Sequence, residues 1–227
     1  MRGERTETAL GQYWGYAKAD RPDAADPAQI HDYTALMAAS QSFIAEDVLD
    51  AFSLNDIGCL MDVGGGNGTF LRAVAARYPD IKLKLFDLPA VAESAGRAFA
   101  DAGLSARADT FGGNFFEDTL PTGADVVSLV RIVHDHDDAD VMRLLRNVHA
   151  ALPAGGTLVL AEPMAGEGAD DPITDAYFGF YLLAMGSGRA RPKSQISRML
   201  KDAGFDDVSE IKTRRPLLTR LLKARRS

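Results

Sequence analysis

The sequence predicts an α/β fold, a doubly wound and mostly parallel sheet with helices on both faces. Three observations predict it. From residue 57 to residue 163, short apolar runs alternate with stretches of helical period, the order that parallel strands with crossover helices require. One run, "ADVVSLVRIVH" (124–134), is almost continuously apolar, as expected of a central strand covered on both faces. Four glycines fill five positions of "GGGNG" (64–68), between the first strand and the helix after it, where backbone N–H groups can meet a ligand.

The elements follow in order. Residues 1–27 are polar, with Pro22 and Pro27 as breakers, and read as an arm leading into the fold. From Gln29 to Phe52, Ile30, Tyr33, Leu36, Met37, Phe43, Ile44, Val48 and Leu49 recur at helical spacing. "IGCLMDV" (57–63) is a buried strand. The next helix carries Phe70, Leu71, Val74, Ala75 and Tyr78 on one face and stops at Pro79. "IKLKLFD" (81–87) alternates as a half-buried strand, a helix runs from Pro89 to Ala100, and a short strand lies near 106–111. After the apolar strand at 124–134, a helix with Val141, Leu144, Leu145, Val148 and Leu152 on one stripe closes at "PAGG", and "TLVLAEP" (157–163) is a fifth strand. The chain divides into an arm with helices over 1–52 and a ligand-binding domain over 53–227.

Composition narrows the function classes. A net charge of −7 and a pI near 5.1 argue against nucleic acid as the main partner. The basic residues Arg214, Arg215, Arg220, Lys223, Arg225 and Arg226 read as a solvated C-terminus. Cys59, the single cysteine, reads as a small core residue; with no disulfide available within the chain, a reducing cytoplasm is expected. "MRGERTETAL" lacks the apolar stretch of a signal peptide, and "AYFGFYLLAMGSG" (176–188) is too short and glycine-rich to span a bilayer.

Three ligands would bring a steric demand to the glycines: a phosphate, a dinucleotide, or an adenosine without phosphates. A phosphate-gripping loop needs a Lys after its second Gly, where Thr69 and Phe70 stand instead. The dinucleotide pattern G-x-G-x-x-G fails because Thr69 occupies its sixth position. What remains is Asp62-x-Gly64-x-Gly66-x-Gly68, with Asp87 closing the next strand where a carboxylate would accept the ribose hydroxyls. The missing glycine favours S-adenosylmethionine over NAD; a glycine turn with no ligand is the plain alternative. The stretch resembles the first motif of class I methyltransferases, whose acidic residue and glycines hold the methionine part of that cofactor.

His134 stands where the long apolar strand stops, and ligands of open α/β sheets bind beyond the carboxyl ends of the strands. If strands one and four are neighbours, Gly64, Asp87 and His134 share one rim. His134, His136 and the nearby aspartates are too adjacent on an extended stretch to converge on a metal, and none is expected. Asp137 and Asp138 read as caps of the following helix. A neutral imidazole, as expected from an ordinary histidine pKa near 6.5, suits a base that takes a hydroxyl proton while the oxygen accepts a methyl group. Glu162 ends the fifth strand on the same rim and can orient that base.

These residues are similar to the O-methyltransferase family that includes plant caffeate and flavonoid enzymes. "HDHDD" (134–138) resembles its His-Asp-Trp-x-Asp motif, "LAEP" its strand with one of two glutamates flanking the base, "GGNFF" (112–116) its adenine-binding Gly-Gly-Asp-x-Phe, and "ALMAAS" (35–40) its substrate-touching helix. The resemblance runs from about residue 30 to residue 227. It implies a seven-stranded Rossmann-like sheet with an antiparallel last strand, and S-adenosyl-L-methionine as cofactor. Its catalytic residues would be His134 and Glu162. The cofactor would be held by Asp62, Gly64, Gly66, Gly68, Asp87, Leu88, Asn114, Phe115 and Arg131, and substrate would meet Met37, Asp135, Phe180 and Met185.

The chain departs from the family at three places. The adenine-binding Asp is Asn114, the second flanking glutamate is Ala190, and residues 1–52 are shorter than the family's winged-helix dimerisation domain. A homodimer is expected if a full N-terminal domain exists. "DAYFGFYLLAMGSGRARP" (175–192) would form a helix beside the reaction centre, richer in apolar residues than one core face uses. With "VRIVHDHDD" it resembles the bacterial branch that methylates hydroxylated acyclic carotenoids, which implies a hydrophobic acceptor and transient contact with a membrane. The alternatives are methylation of an aromatic or polyketide hydroxyl, and a protein that binds the cofactor without transferring methyl.

Overall fold

The computed structural model describes residues 41–167 and 188–227. Met37, Phe180, Met185, the N-terminal arm and most of the helix expected over 175–192 lie outside the described residues. Seven strands form one sheet: β1 (Cys59–Val63), β2 (Lys82–Asp87), β3 (Ala108–Gly112), β4 (Val126–Val130), β5 (Thr157–Glu162), β6 (Phe205–Ile211) and β7 (Arg220–Arg226). Their order is β3-β2-β1-β4-β5-β7-β6, parallel from β3 to β5, with β7 antiparallel to both of its neighbours. The expected sheet, with its reversed last strand, is present.

Period-two alternation sends side chains to two separate cores. Leu60, Val126, Val159 and Leu221 face one, together with the helix over 41–51 (α1), α2 (Thr69–Arg77) and α3 (Pro89–Asp101). Met61, Val127, Leu158 and Leu222 face the other, covered by α4 (Asp138–Ala151) and α5 (Lys193–Asp202). Both β1 and β4 are buried at all five positions, which is why they read as unbroken apolar runs. The strand order reverses beside β1: β2 and β3 lie to one side and β4 to the other. The carboxyl ends of β1 and β4 therefore flank the crevice in which doubly wound sheets bind ligands.

Two expectations change here. The fourth strand ends at Val130, not at residue 134. Arg131 takes a left-handed backbone (φ 61°), and Val133–Asp135 form a 3₁₀ turn, so His134 sits on a turn beyond the strand. Apolarity hid the break, because Val133 is buried in the turn as a strand residue would be and Ile132 is partly buried beside it. Nor is the basic segment a solvated tail. Residues 220–226 are an interior strand whose Leu221, Leu222 and Ala224 are buried. Its neighbourhood supplies counter-charges: Arg220 pairs with Glu210 at 2.8 Å and Arg214 with Asp50 at 2.8 Å.

The interior placement of β7 is testable. Leu222→Ala should lower the unfolding free energy by about 2–5 kcal/mol, the ordinary cost of truncating a buried leucine. Denaturant titration checks it, and an unchanged midpoint would return the segment to the solvent.

Candidate active site

The carboxyl ends of four adjacent strands bring the predicted residues together. Asp62 lies near the end of β1 and the glycine loop follows it, Asp87 closes β2, His134 follows β4 and Glu162 closes β5. The glycines have positive φ at Gly64 (73°), Gly66 (58°) and Gly68 (75°), a path that L side chains resist. Gly68 occupies the N-cap of α2 in the left-handed conformation.

The close approach at two of these glycines comes from the protein itself. A Cβ on Gly64 would stand 2.5 Å from Ile132 Cδ1, and one on Gly68 would stand 2.4 Å from the Phe99 ring. The steric demand inferred from sequence is real, but at Gly64 and Gly68 core packing makes it. Gly66 ties the loop to the neighbouring strand, its N–H donating to Asp87 Oδ2 at 2.8 Å.

Asp62 is buried on β1 and accepts a 2.6 Å hydrogen bond from Ser128 Oγ, its cross-strand partner on β4. Burial pushes its carboxyl up to about 7 despite that bond. Asp87 accepts N–H bonds from Gly66 and from Leu88 (2.7 Å), and burial still raises it to about 6. Each Asp87 oxygen keeps acceptor capacity beyond its backbone bond. Two buried carboxylates lifted this far suit a ligand that offers a cation to one and hydroxyl donors to the other.

Asn114 turns its side-chain oxygen onto its own loop, accepting from Phe116 N at 3.0 Å, and its backbone N–H donates to Asp118. Phe115 lies within 4 Å of a Cβ built on Gly64 and packs edge-on against Phe116, at 4.6 Å between ring centres. His136 belongs to this aromatic cluster, 4.9 Å from Phe116, and burial pushes its pKa down. It is a neutral packing histidine.

His134 has side-chain exposure of 2%, and its Nδ1 stands 2.7 Å from Glu162 Oε2. Glu162 does more than face the ring. Its Oε1 accepts the N–H groups of Ile132 (2.7 Å) and Val133 (2.6 Å), so one buried carboxylate caps the turn and orients the imidazole on it. On the far side of the ring, Nε2 lies 3.2 Å from Asp135 Oδ1. Burial pushes His134 toward the neutral form, but the Asp135 and Glu162 carboxylates outweigh it and raise the pKa; Arg131 opposes them. The expectation of an ordinary histidine pKa is therefore corrected upward. Two carboxylates flank this imidazole and favour its cation.

Sequence alone missed Arg191 and Gly188. Arg191 has 1% of its surface exposed; it donates to Val133 O and His136 O, each at 2.7 Å, and pairs through Nε with Asp138 Oδ1 at 2.8 Å. Asp138 is thus engaged by Arg191 and Arg189, and Asp137 holds the N-cap position of α4 without a side-chain cap bond. Asp137 thus caps by position alone, and at Asp138 the expected capping gives way to this pairing. Gly188 (φ 72°) packs directly on His134 O, where a Cβ would collide with the backbone. Nothing local separates Arg191 from Arg189 in "GRARP", since only tertiary burial distinguishes them. Ser128 left a signal: it is the one polar residue in the buried run "VVSLV".

A seven-stranded sheet with this reversed strand, a glycine loop at the switch point and paired carboxylates on its rim define a class: a nucleoside-type ligand site on a Rossmann-like scaffold. The chain belongs to the O-methyltransferase domain family, whose model matches residues 5–206. It is 45% identical over 221 residues to demethylspheroidene O-methyltransferase of Rhodobacter capsulatus, covering 97% of this chain and 54% of that relative. It is 42% identical over 224 residues to the protein of the same name from Cereibacter sphaeroides, covering 99% of this chain and 59% of the relative. The chain thus spans little more than half the length of these curated relatives. The structure of human N-acetylserotonin methyltransferase in complex with SAM superposes with a TM-score of 0.80 at 26% identity, over 89% of this chain and 57% of that one.

The raised carboxyls predict a pH effect on stability. In the unfolded chain an Asp ionises near 3.9, whereas folded Asp62 holds its proton until about 7. The folded state therefore binds more protons between these values, and its stability falls as pH rises through that window. Asp62→Asn, which keeps an oxygen for Ser128, should melt higher than wild type at pH 8 without ligand, and the gain should vanish near pH 4. Calorimetry at the two pH values checks this.

Proposed function

We propose that the chain is an S-adenosyl-L-methionine-dependent O-methyltransferase that acts on a hydroxyl of a hydrophobic small molecule, specifically an acyclic hydroxycarotenoid. The observation that carries the reaction is the buried His134–Glu162 pair, 2.7 Å apart on the rim that also bears Asp62 and Asp87. The names of the two bacterial relatives support the acceptor class.

The cofactor, when bound, supplies a methyl group on a positively charged sulfur. Asp62 and the loop at Gly64, Gly66 and Gly68 would hold its amino acid end, and Asp87 its ribose hydroxyls, with Leu88, Asn114, Phe115 and Arg131 beside the nucleoside. Glu162 keeps the proton of His134 on Nδ1, which leaves Nε2 to take the acceptor's proton as its oxygen attacks. The acceptor hydroxyl must first replace Asp135 at Nε2, and Asp135 then faces the substrate. Holding oxygen and methyl carbon in line supplies much of the remaining rate. Met37, Phe180 and Met185 complete the acceptor side in this reading. Among the described residues no helix is long and apolar enough to cross a membrane. Collection of the acceptor by transient contact with a membrane from the cytoplasm, and a homodimer if a full N-terminal domain exists, are parts of the same proposal.

Incubation with methyl-labelled S-adenosylmethionine and a panel of hydroxycarotenoids and phenols tests the reading. Label should appear on a carotenoid hydroxyl. Label confined to phenols would move the acceptor class, and tight cofactor binding with no acceptor labelled would make the protein a non-catalytic binder. His134→Ala should lower turnover by about 10²–10⁴-fold, the usual contribution of a general base, with little change in cofactor affinity. Turnover should fall on the acid side with a midpoint above 6.5, and Asp135→Asn should move that limb to lower pH, because removing a carboxylate removes support for the imidazolium.

A further inference from the structure

The turn that carries His134 is held from both ends. Its N–H groups at Ile132 and Val133 point to one buried acid, Glu162, and two of its carbonyls, Val133 O and His136 O, point to one buried base, Arg191. A turn of this kind has too few residues to satisfy its own polar groups, so outside partners must. Here the partners are charged, and their charges match the ends of the peptide dipoles: carboxylate at the N–H end, guanidinium at the carbonyl end.

We propose that Arg191 is a positioning residue for the proposed reaction, a guanidinium clamp that fixes the 133–136 turn and so the direction in which the His134 ring presents Nε2. The proposal rests on the methyl-transfer reading for its kinetic consequence but not for its structural one.

The planar fork is needed. Nη1 reaches Val133 O, Nη2 reaches His136 O and Nε reaches Asp138 Oδ1, three directions that a lysine ammonium cannot serve together from one rigid plane. Arg191 touches neither the His134 side chain nor Asp62, Asp87 or the glycine loop by hydrogen bond, so it acts on the base through backbone alone. Gly188, three residues earlier, lays its backbone on His134 O, where no side chain fits. The segment 188–191 therefore braces the turn at two points. Misplacement of a reacting group by 1 Å can cost about a hundredfold in rate, so a brace on this turn has kinetic weight.

The test compares wild type with Arg191→Lys and Asp138→Asn, the latter a half-exposed position that leaves the core intact. The readouts are the imidazole Nδ1–H proton resonance of His134 by NMR, cofactor affinity by calorimetry, and kcat and KM with a labelled acceptor. Arg191→Lys should shift or broaden the Nδ1–H resonance and lower kcat by about tenfold or more, with acceptor KM and cofactor affinity within about twofold. Asp138→Asn should move the same signals in the same direction by less. If Arg191→Lys fails to fold, Asp138→Asn decides on the same readouts. Wild-type resonance and kcat in the variant that folds would overturn the clamp, as would a loss of stability and cofactor affinity with the resonance unmoved. If wild type methylates no acceptor, the methyl-transfer reading fails, and the resonance still decides the clamp.

Discussion

The carboxylate of Glu162 is the interaction on which the site depends. It is buried at the end of β5, and within hydrogen-bond distance it gathers three backbone N–H groups of the neighbouring turn, those of Ile132, Val133 and His134, and the Nδ1 of His134. A charge so placed costs several kcal/mol to desolvate unless donors surround it. The donors it finds are the groups that the chain frees on leaving β4. Arg131 makes the last sheet bond of that strand, donating to Ala161 O at 2.8 Å, and its left-handed backbone swings the next N–H groups toward Glu162. Strain at one residue is thus offset by charge-assisted bonds at the next two.

The same turn connects both halves of the crevice. Ile132, whose N–H is bound by Glu162, places its side chain against Gly64 so closely that any Cβ there would collide. The glycine loop and the His134 turn are packed on each other across the β1–β4 boundary. Asp62 and Ser128 form the corresponding polar contact one layer deeper. A change that shifts one side of the crevice is therefore felt on the other, although the two sides lie far apart in sequence.

Much of this was legible from residue order. The buried runs at 59–63, 126–130 and 157–162 appeared as apolar strands, and the acids and the histidine at their ends fell on one rim as expected. What escaped notice has a common cause. β7 was hidden because an interior strand one place from the sheet's edge can bury three residues, Leu221, Leu222 and Ala224, while Arg220 reaches out to Glu210 and Arg225 and Arg226 reach backbone carbonyls. The turn at 133–135 was hidden because its apolar residues are buried like those of a strand. Arg191 was hidden because two of its partners are backbone carbonyls, which leave no mark on composition, and the third, Asp138, lies 53 residues away. The pKa of His134 depends on Asp135 at 3.2 Å, and adjacency in sequence did not disclose that the carboxylate returns to the ring. Each of these features is fixed by tertiary contact.

The position of β7 has a consequence for folding. Among the described strands β6 pairs with β7 alone, and β7 bridges it to β5. Release of β7 would therefore leave β5 as an open edge and β6 with nothing to pair with. Unpaired edges of this kind are templates for association with other chains. The last two strands must join the sheet together, and the sheet is closed to such association only once both are in place.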